Sequence, residues 1–333
     1  MSKTKLFCFI SFLLMACLLL SACSTDAPPE TADPPLVNGN TSGNFFNKSL
    51  VAQRDGDPYC YYYANTENLE GGIYRLHTET GEQTKLAFCS PGSIYNRYLS
   101  LYEDWVYYID YGIYRVNCNG GDPQLVVADI DSDTRIFYLQ IADDTLYYIM
   151  GDNLYIQPID AQAPSQIIEQ VDYAYYEKPF LYCTKYTDYA TDLYRIDMQN
   201  GTSSLLLESF SGIVFQVYQG NVYYRTNEKW LRCTEEGNEQ VIKSGTTLFR
   251  YPNVYQGQLY YVLYSNPNWE ANTVEIQLAR CDLDGKNEEI LDEKRVFPNR
   301  NGDSVQLFIT NGYVTVYDTH AANIFCRIPI SPQ

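Results

Sequence analysis

The feature that most constrains the fold is a strand pattern that recurs seven times between residues 44 and 330. Each copy contains an aromatic strand and then a short apolar segment, which in six copies is followed by arginine. The central residues of these second segments lie 40, 41, 39, 37, 48 and 46 residues apart and are Tyr74, Tyr114, Tyr155, Tyr194, Leu231, Ala279 and Phe325. One supersecondary unit repeated at this interval predicts a repeat architecture.

The second copy shows that each unit contains four strands. Its alternating or apolar stretches are Tyr98–Tyr102, Trp105–Ile109, Ile113–Asn117 and Gln124–Ala128. The turns between them contain Gly and Asn, which supply the positive φ angles of tight hairpins. Four antiparallel strands per repeat predict an all-β fold, a β-propeller. We count seven blades, while six or eight stay open.

The two ends of the repeat region suggest how the ring closes. The last copy has only three strands, Val305–Thr310, Tyr313–Asp318 and Ile324–Ile330, and a spare segment, Asn44–Lys48, precedes the first copy. Closure removes exposed sheet edges. We therefore expect the N-terminal segment to form the missing outer strand of the last blade.

The N-terminus has the pattern of an export signal. Lys3 and Lys5 precede the uncharged run Leu6–Leu20, which is shorter than the roughly 20 apolar residues that span a bilayer but fits a signal peptide. The sequence Leu-Ser-Ala-Cys that ends at Cys23 resembles the bacterial lipobox, which implies diacylglycerol on Cys23 and an extracytoplasmic, membrane-anchored protein. We therefore divide the chain into a signal peptide (1–22), a lipidated tether (23–43) and the propeller (44–333).

The repeat also resembles a known family. A Tyr-Tyr strand, then Ile/Leu-Tyr-Arg, then a Gly turn is similar to the tyrosine-rich, propeller-like repeat domain of unknown function in secreted and surface proteins of Firmicutes. More loosely it resembles TolB-type and prolyl-oligopeptidase-type propellers. Ile156 and Ala279 depart from the pattern. The resemblance implies a propeller and brings no catalytic residues.

The charge of the chain restricts its partners. Loss of residues 1–22, which contain two lysines and no acid, moves the formal net charge from −18 to −20. Phosphate backbones require clustered Lys and Arg, so we exclude nucleic acid as a partner. We expect the lipid alone to hold the protein at the membrane.

Seven cysteines remain besides Cys23, and their spacing predicts buried core residues rather than a zinc site or a disulfide framework.

One arginine position recurs in six of the seven copies. A ring of cations could face an anionic ligand, but repetition around a ring favours a structural contact, in which each guanidinium stacks on Tyr or pairs with a carboxylate of the next blade. The residues are Arg75, Arg115, Arg195, Arg232, Arg280 and Arg327.

The sequence shows no catalytic signature. His77 and His320 are the only histidines, and nucleophile-elbow, zincin and phosphate-loop motifs are absent. Asp129, Asp131 and Asp133 have calcium-loop spacing, but the following Gly and Glu are missing. We expect the protein to bind no metal and no cofactor and to have no enzymatic activity. We predict a binding module for an envelope protein or a glycan. The alternatives are a carbohydrate-active hydrolase or lyase, or a purely structural envelope protein.

Loop lengths indicate where binding occurs. Turns between the first and second and between the third and fourth strands are short, whereas the loops between the second and third strands vary. Varied loops on a rigid scaffold usually carry function. The longest, Ser265–Thr273, contains Trp269, a candidate platform for a sugar or a protein; the alternative is that Trp269 covers its own blade. Tyr186 and Tyr189 are weaker candidates on the same face.

Overall fold

The tyrosine-rich second strands are buried on both faces, because each blade is packed between two neighbours. Three consecutive residues, Tyr61, Tyr62 and Tyr63, are each at most 3 % exposed, although alternate residues of a strand point to opposite faces. The same holds for the paired tyrosines of blades two, five and six. Runs of adjacent aromatic residues in this sequence therefore mark strands enclosed between blades.

A computed structural model describes Leu36 and residues 38–66, 69–90, 97–129, 134–186, 190–212, 215–226, 228–245, 249–298 and 305–330. The predicted signal peptide, Cys23, most of the predicted tether, Asp131, Asp133 and Tyr189 lie outside these residues. The chain divides into two units, Met1–Pro34 and Pro35–Gln333, and the second is the propeller. Within the described part, no helix is long and apolar enough to cross a bilayer.

The described strands form seven antiparallel blades in a ring. Within each blade the strands are numbered in chain order. They are β1 Val51–Ala52, β2 Tyr59–Thr66, β3 Leu69–His77 and β4 Gln83–Phe88 in blade one; β5 Ser100–Tyr102, β6 Trp105–Ile109, β7 Gly112–Asn117 and β8 Gln124–Ala128 in blade two; β9 Ile136–Ala142, β10 Thr145–Met150, β11 Asn153–Pro158 and β12 Gln166–Glu169 in blade three; β13 Val171–Glu177, β14 Phe180–Tyr186, β15 Thr191–Asp197 and β16 Ser203–Leu207 in blade four; β17 Phe215–Tyr218, β18 Asn221–Arg225, β19 Lys229–Cys233 and β20 Glu239–Ser244 in blade five; β21 Phe249–Tyr255, β22 Gln258–Asn268, β23 Thr273–Asp282, β24 Glu289–Ile290 and β25 Arg295–Phe297 in blade six; and β26 Val305–Thr310, β27 Tyr313–Asp318 and β28 Asn323–Pro329 in blade seven. The prediction of an all-β, seven-bladed propeller is confirmed.

Antiparallel order gives the ring two different faces. Turns between first and second strands and between third and fourth strands lie on one side, which we call the turn face. Hairpins between second and third strands lie on the other side together with the links between blades, and we call this the hairpin face. Contacts such as Asn65 N–H to the Ala322 carbonyl (3.1 Å) join neighbouring hairpins there.

The prediction that Asn44–Lys48 forms the outer strand of blade seven is wrong. Residues Ser42–Phe46 form a short helix, α1, capped by the Thr41 side chain, and among the described residues blade seven has three strands. Blades seven and one meet through side chains instead. The Tyr317 hydroxyl donates to the Tyr63 carbonyl (2.9 Å), and the Arg327 guanidinium donates to Gln53 Oε1 (2.6 Å).

The helix belongs to a segment, Asn38–Ser49, that fills the centre of the ring; we call it the axial segment. It contacts the first, innermost strand or its immediate flank in all seven blades. The contacts are Gly39 O with Gln53 N, Lys48 O with Tyr98 N, Asn38 Nδ2 with Ile141 O, Phe45 with Tyr175, Ser42 Oγ with Val217 O, Thr41 Oγ1 with Asn253 Oδ1, and Asn44 with Ile309. Only a segment on the ring axis can reach all seven.

The axial segment runs from the turn face to the hairpin face. Leu36 N–H donates to Asp55 Oδ2 (2.9 Å) in the turn after β1, which belongs to the turn face. At the other end Lys48 O and Ser49 O accept from the backbone that precedes β5, at the hairpin face. Lys48 and Ser49 have φ of 66° and 44°, and this left-handed turn reverses the chain into β1.

Hydrogen bonds explain why a polar segment is buried there. Asn40, Asn44, Asn47 and Ser49 are each at most 5 % exposed, and their side chains bond main-chain groups that the innermost strands direct at the axis. Buried backbone groups need such partners. The propeller unit therefore begins at Pro35, and the stretch 38–43, which the sequence assigned to the tether, lies inside the ring.

Candidate functional site: the hairpin face and the groove between blades three and four

Trp269 lies at the tip of the longest hairpin. β22 extends to Asn268 and β23 begins at Thr273, so most of the predicted loop is strand and only a four-residue turn remains. Asn268 Oδ1 accepts from the N–H groups of Glu270 and Ala271 (3.1 and 2.9 Å) and fixes this turn. The Trp269 side chain is 65 % exposed.

Blade six is widened below this tip by an extra strand. β25 pairs with β23, with Val274 opposite Phe297 and Glu275 opposite Val296. Phe297 is fully buried and Val296 is 64 % exposed. The hairpin is thus a supported arm with an exposed tryptophan at its end and an exposed valine on its flank.

Tyr186 lies on a different part of the same face. It ends β14 in blade four and is 50 % exposed, whereas Tyr189 lies outside the described residues. Blade five separates it from the hairpin of Trp269. The structure therefore places the two candidates on one face without bringing them into one site.

Tyr186 stands over a groove between blades three and four. This groove, about 390 Å³ in volume, is lined by Ile168 of β12 and by Tyr194 and Ile196 of β15, and it runs from Gly201 at the turn face to Tyr186. The side chains of Ile168, Tyr194 and Ile196 are half-buried. The groove thus has a floor that is partly apolar.

A second cleft of about 480 Å³ continues from the first on the hairpin face. It lies over the turn Gly151–Asn153 and is lined by Tyr155 and Glu169. Gln170 lines both clefts. The Gln170 carbonyl also accepts from the Tyr186 N–H (3.0 Å), so the link between the blades is fixed to the hairpin of blade four at the point where the clefts meet.

The Tyr186 hydroxyl is coupled electrostatically to a nearby carboxylate, Asp172. Asp172 sits at an irregularity of β13 where the pairing with β14 shifts by one residue. Burial raises the pKa of Asp172, and the negative charge of Asp152 raises it further. The charge of Asp172, with some burial, raises the pKa of Tyr186, so the phenol stays protonated as a donor.

The repeated arginines lie elsewhere. Those of four blades stack on the aromatic residue that begins the second strand of their own blade. The pairs are Arg75 on Tyr59 (4.5 Å), Arg115 on Trp105 (4.4 Å), Arg195 on Phe180 (4.7 Å) and Arg327 on Tyr313 (4.5 Å). Arg75, Arg195 and Arg327 also bond the following blade, for instance Arg195 with Glu235 at 2.9 Å.

Arg280 pairs instead with Glu289 on the outer strand of its own blade (2.7 Å), and Arg232 is half-buried in the equivalent position. All six arginines belong to third strands, away from the axis. They do not converge on one point where a ligand could meet them together.

The sequence analysis missed the groove because its parts are distant in the chain and have no motif. Asp172 is an isolated acid in a tyrosine-rich strand, and Gln170 is a linker residue. The structure shows a φ of 61° at Gln170, an uncommon backbone conformation for a residue other than Gly, and a sequence does not reveal φ. Within the described residues no three His, Cys, Asp or Glu side chains are grouped as metal ligands.

No protein-family model matches the sequence, and no curated protein matches it. Solved structures do resemble it. The extracellular domain of a putative one-component system from B. thetaiotaomicron aligns with a TM-score of 0.52 and 14 % identity over 82 % of this chain and 37 % of that one. A prolyl endopeptidase aligns with a TM-score of 0.52 and 11 % identity over 80 % of this chain and 46 % of that one. The N-terminal domain of Nup159 aligns with a TM-score of 0.48 and 10 % identity over 88 % of this chain and 89 % of that one. The chain spans less than half of the first two proteins, and at these identities the likeness concerns the fold alone.

Proposed function

We propose that this protein is a lipid-anchored, extracytoplasmic binding module that presents its hairpin face to an envelope ligand and performs no catalysis. The observation that carries the proposal is the path of the axial segment. It enters the ring from the turn face and occupies the centre of the ring. A ligand therefore has to bind on the outside of the ring, and the turn face is the side from which the N-terminal tether leaves.

A tether on the turn face gives the propeller an orientation. With Cys23 in the membrane, only the twelve residues Ser24–Pro35 separate the lipid from the ring, a flexible span of about 19 Å. Such a short connection keeps the turn face towards the membrane. The hairpin face then points away from the membrane.

The two histidines support a non-catalytic module. Nδ1 of His77 accepts from the N–H groups of Glu79 and Thr80 (3.3 Å each) and stabilises the turn after β3, so His77 has a structural use. His320 is exposed in a hairpin of blade seven. Neither lies in the groove.

Site-specific photo-crosslinking in cells tests the orientation and the binding face. A photoreactive amino acid replaces Ala271 on the hairpin face in one strain and Asp122 on the turn face in another; both residues are exposed. A third strain carries the probe in place of Asn153, beside the groove. We expect crosslinked envelope material from at least one hairpin-face position and none from Asp122. Crosslinks from Asp122 alone would refute the proposal.

Catalysis is tested separately. Purified residues 24–333 are incubated with the captured ligand, and the products are followed by mass spectrometry. We expect the ligand to stay intact. Product that forms with the wild type and disappears with Asp172→Asn or Asp152→Asn would overturn the non-catalytic assignment.

A further inference from the structure

We propose that the groove between blades three and four binds an uncharged oligosaccharide chain, with Tyr186 as the stacking platform. This inference rests on the proposed function and names the class of ligand for the hairpin face. It draws on the exposed aromatic ring, the local backbone, the charge of the lining and the shape of the two clefts.

Tyr186 is exposed at the end of a strand whose backbone is bonded to the link between the blades. Its N–H donates to the Gln170 carbonyl (3.0 Å), and half of the side chain remains accessible. Fixing the backbone lowers the entropy lost on binding. An accessible aromatic face with a polar edge suits the C–H face of a sugar ring.

The backbone around this tyrosine departs from regular structure at two adjacent points. Gln170 has a φ of 61°, and the pairing register of β13 shifts between Val171 and Tyr173, where Asp172 is the extra residue. Bulges redirect side chains and recur beside functional sites, and strained residues persist where the surrounding structure holds them. Gln170, the first of these two points, lines both clefts where they meet.

The charged groups of the lining select against anionic ligands. Asp152 and Glu169 line the upper cleft, and the negative charge of Asp172 acts on Tyr186. Among the described residues, Lys185 is the one cation that lines the lower groove. Acidic wall polymers would meet this negative excess at close range, where like charges repel. Sugar hydroxyls, in contrast, can donate to the carboxylates and bond the Gln166 and Gln170 amides.

The form of the site favours a chain over a single ring. The lower groove, of about 390 Å³, follows the height of the blade edge, and the upper cleft, of about 480 Å³, continues it at Gln170. Tyr194 lines the lower groove together with Tyr186, and Tyr155 lines the upper cleft. Consecutive sugar rings can thus contact successive parts of one continuous surface.

An oligosaccharide array followed by titration calorimetry tests the inference. Residues 24–333 are applied to N-acetylglucosamine tetramer, cellotetraose and mannotetraose as uncharged probes, and to galacturonic acid tetramer as the anionic probe. We expect binding of at least one uncharged probe and none of the anionic one. Tyr186→Ala should weaken binding at least about tenfold, while Tyr186→Phe, which keeps the ring, should weaken it less.

Tyr111→Ala is the matched control. Tyr111 is 51 % exposed on the hairpin face of blade two, outside both clefts, and its removal should leave affinity unchanged. Melting temperatures of all variants verify folding, and Gln166→Ala, at an exposed residue that lines the lower groove, provides a second groove variant if Tyr186→Ala unfolds.

Three outcomes would overturn the inference: no uncharged probe binds, the anionic probe binds better, or the Tyr186 and Tyr111 variants behave alike. A peptide captured in the groove by the Asn153 probe would also overturn it. If the probe at position 271 captures envelope material but no oligosaccharide on the array binds, this inference is wrong and the proposed function still stands. Crosslinks from the turn face alone would remove the proposed function itself.

Discussion

Replacing Asn44 with alanine tests whether the axial segment stabilises the ring. The Asn44 amide forms three short bonds to two blades: Nδ2 donates to the Ile309 carbonyl, and Oδ1 accepts from the Ile309 N–H and from Asn253 Nδ2, each at 2.8 Å. All three residues are fully buried. Alanine at position 44 leaves two main-chain groups of β26 and one side-chain amide without these partners.

The loss follows from the number of groups left unpaired. A buried polar group without its partner costs about 1–3 kcal/mol, and relaxation and water entry at the small cavity recover part of the sum. We therefore expect the free energy of unfolding to fall by about 4 kcal/mol. For a chain of this size that is a drop in melting temperature of about 8 °C.

Urea denaturation of residues 24–333, followed by tyrosine and tryptophan fluorescence and by far-UV circular dichroism, measures this loss. Asn221→Ala is the control, because Asn221 forms one local bond in a turn of blade five (3.0 Å), and it should change the free energy of unfolding by less than about 0.5 kcal/mol. If Asn44→Ala falls within about 1 kcal/mol of this control, a margin close to the error of the extrapolation, the axial segment does not hold the blades.

Three further predictions concern the anchor, pH and the thiols. Cys23→Ser should move the protein from the membrane to the soluble fraction, because acyl chains supply about 0.8 kcal/mol per buried CH₂; retention on membranes after a high-salt wash would contradict this. Burial raises the pKa of Asp172, so stability from its proton is present below the ordinary Asp pKa and lost as pH rises through the raised value. Melting temperatures between about pH 4 and pH 7 should therefore fall for the wild type relative to Asp172→Asn, and parallel curves would show no such linkage. Burial also raises the pKa of the Cys60, Cys89 and Cys183 thiols to about 12, so these thiols should react with a disulfide reagent at about pH 8 only after unfolding; rapid labelling of the native protein would contradict their burial.

The blades were predictable because their strands have strong local signals. The strands Trp105–Ile109 and Gln124–Ala128 have the same bounds in the sequence analysis and in the structure. Runs of aromatic and aliphatic residues mark these strands in the local sequence, without information about distant contacts. The intervening turns contain the residues that tight hairpins require. The number of repeats then determined the number of blades.

The axial segment was not predictable by the same argument. Its sequence is rich in Asn, Ser and Gly, which is typical of a linker, and it contains only two adjacent apolar residues, Phe45 and Phe46. Those polar side chains are buried because their partners are main-chain groups that point at the ring axis, some 260 residues away in the chain. The periodicity of apolar residues in a sequence predicts buried apolar faces, but it does not predict hydrogen bonds between polar side chains and distant main-chain groups. The Asp172 bulge escaped detection for the same reason, since it depends on pairing with β14.

The path of the axial segment determines how the domain bears mechanical load. If Cys23 carries the proposed lipid, a force applied there enters the ring at Leu36 and acts along the axis, on a segment that contacts all seven blades. The blades then share the load in parallel, so rupture requires many hydrogen bonds to break at once. Had the N-terminus been an outer strand of blade seven, the same force would have unzipped one pair of bonds at a time. In the proposed lipoprotein, attachment at the ring axis would thus keep the domain folded while its ligand and the membrane move relative to each other.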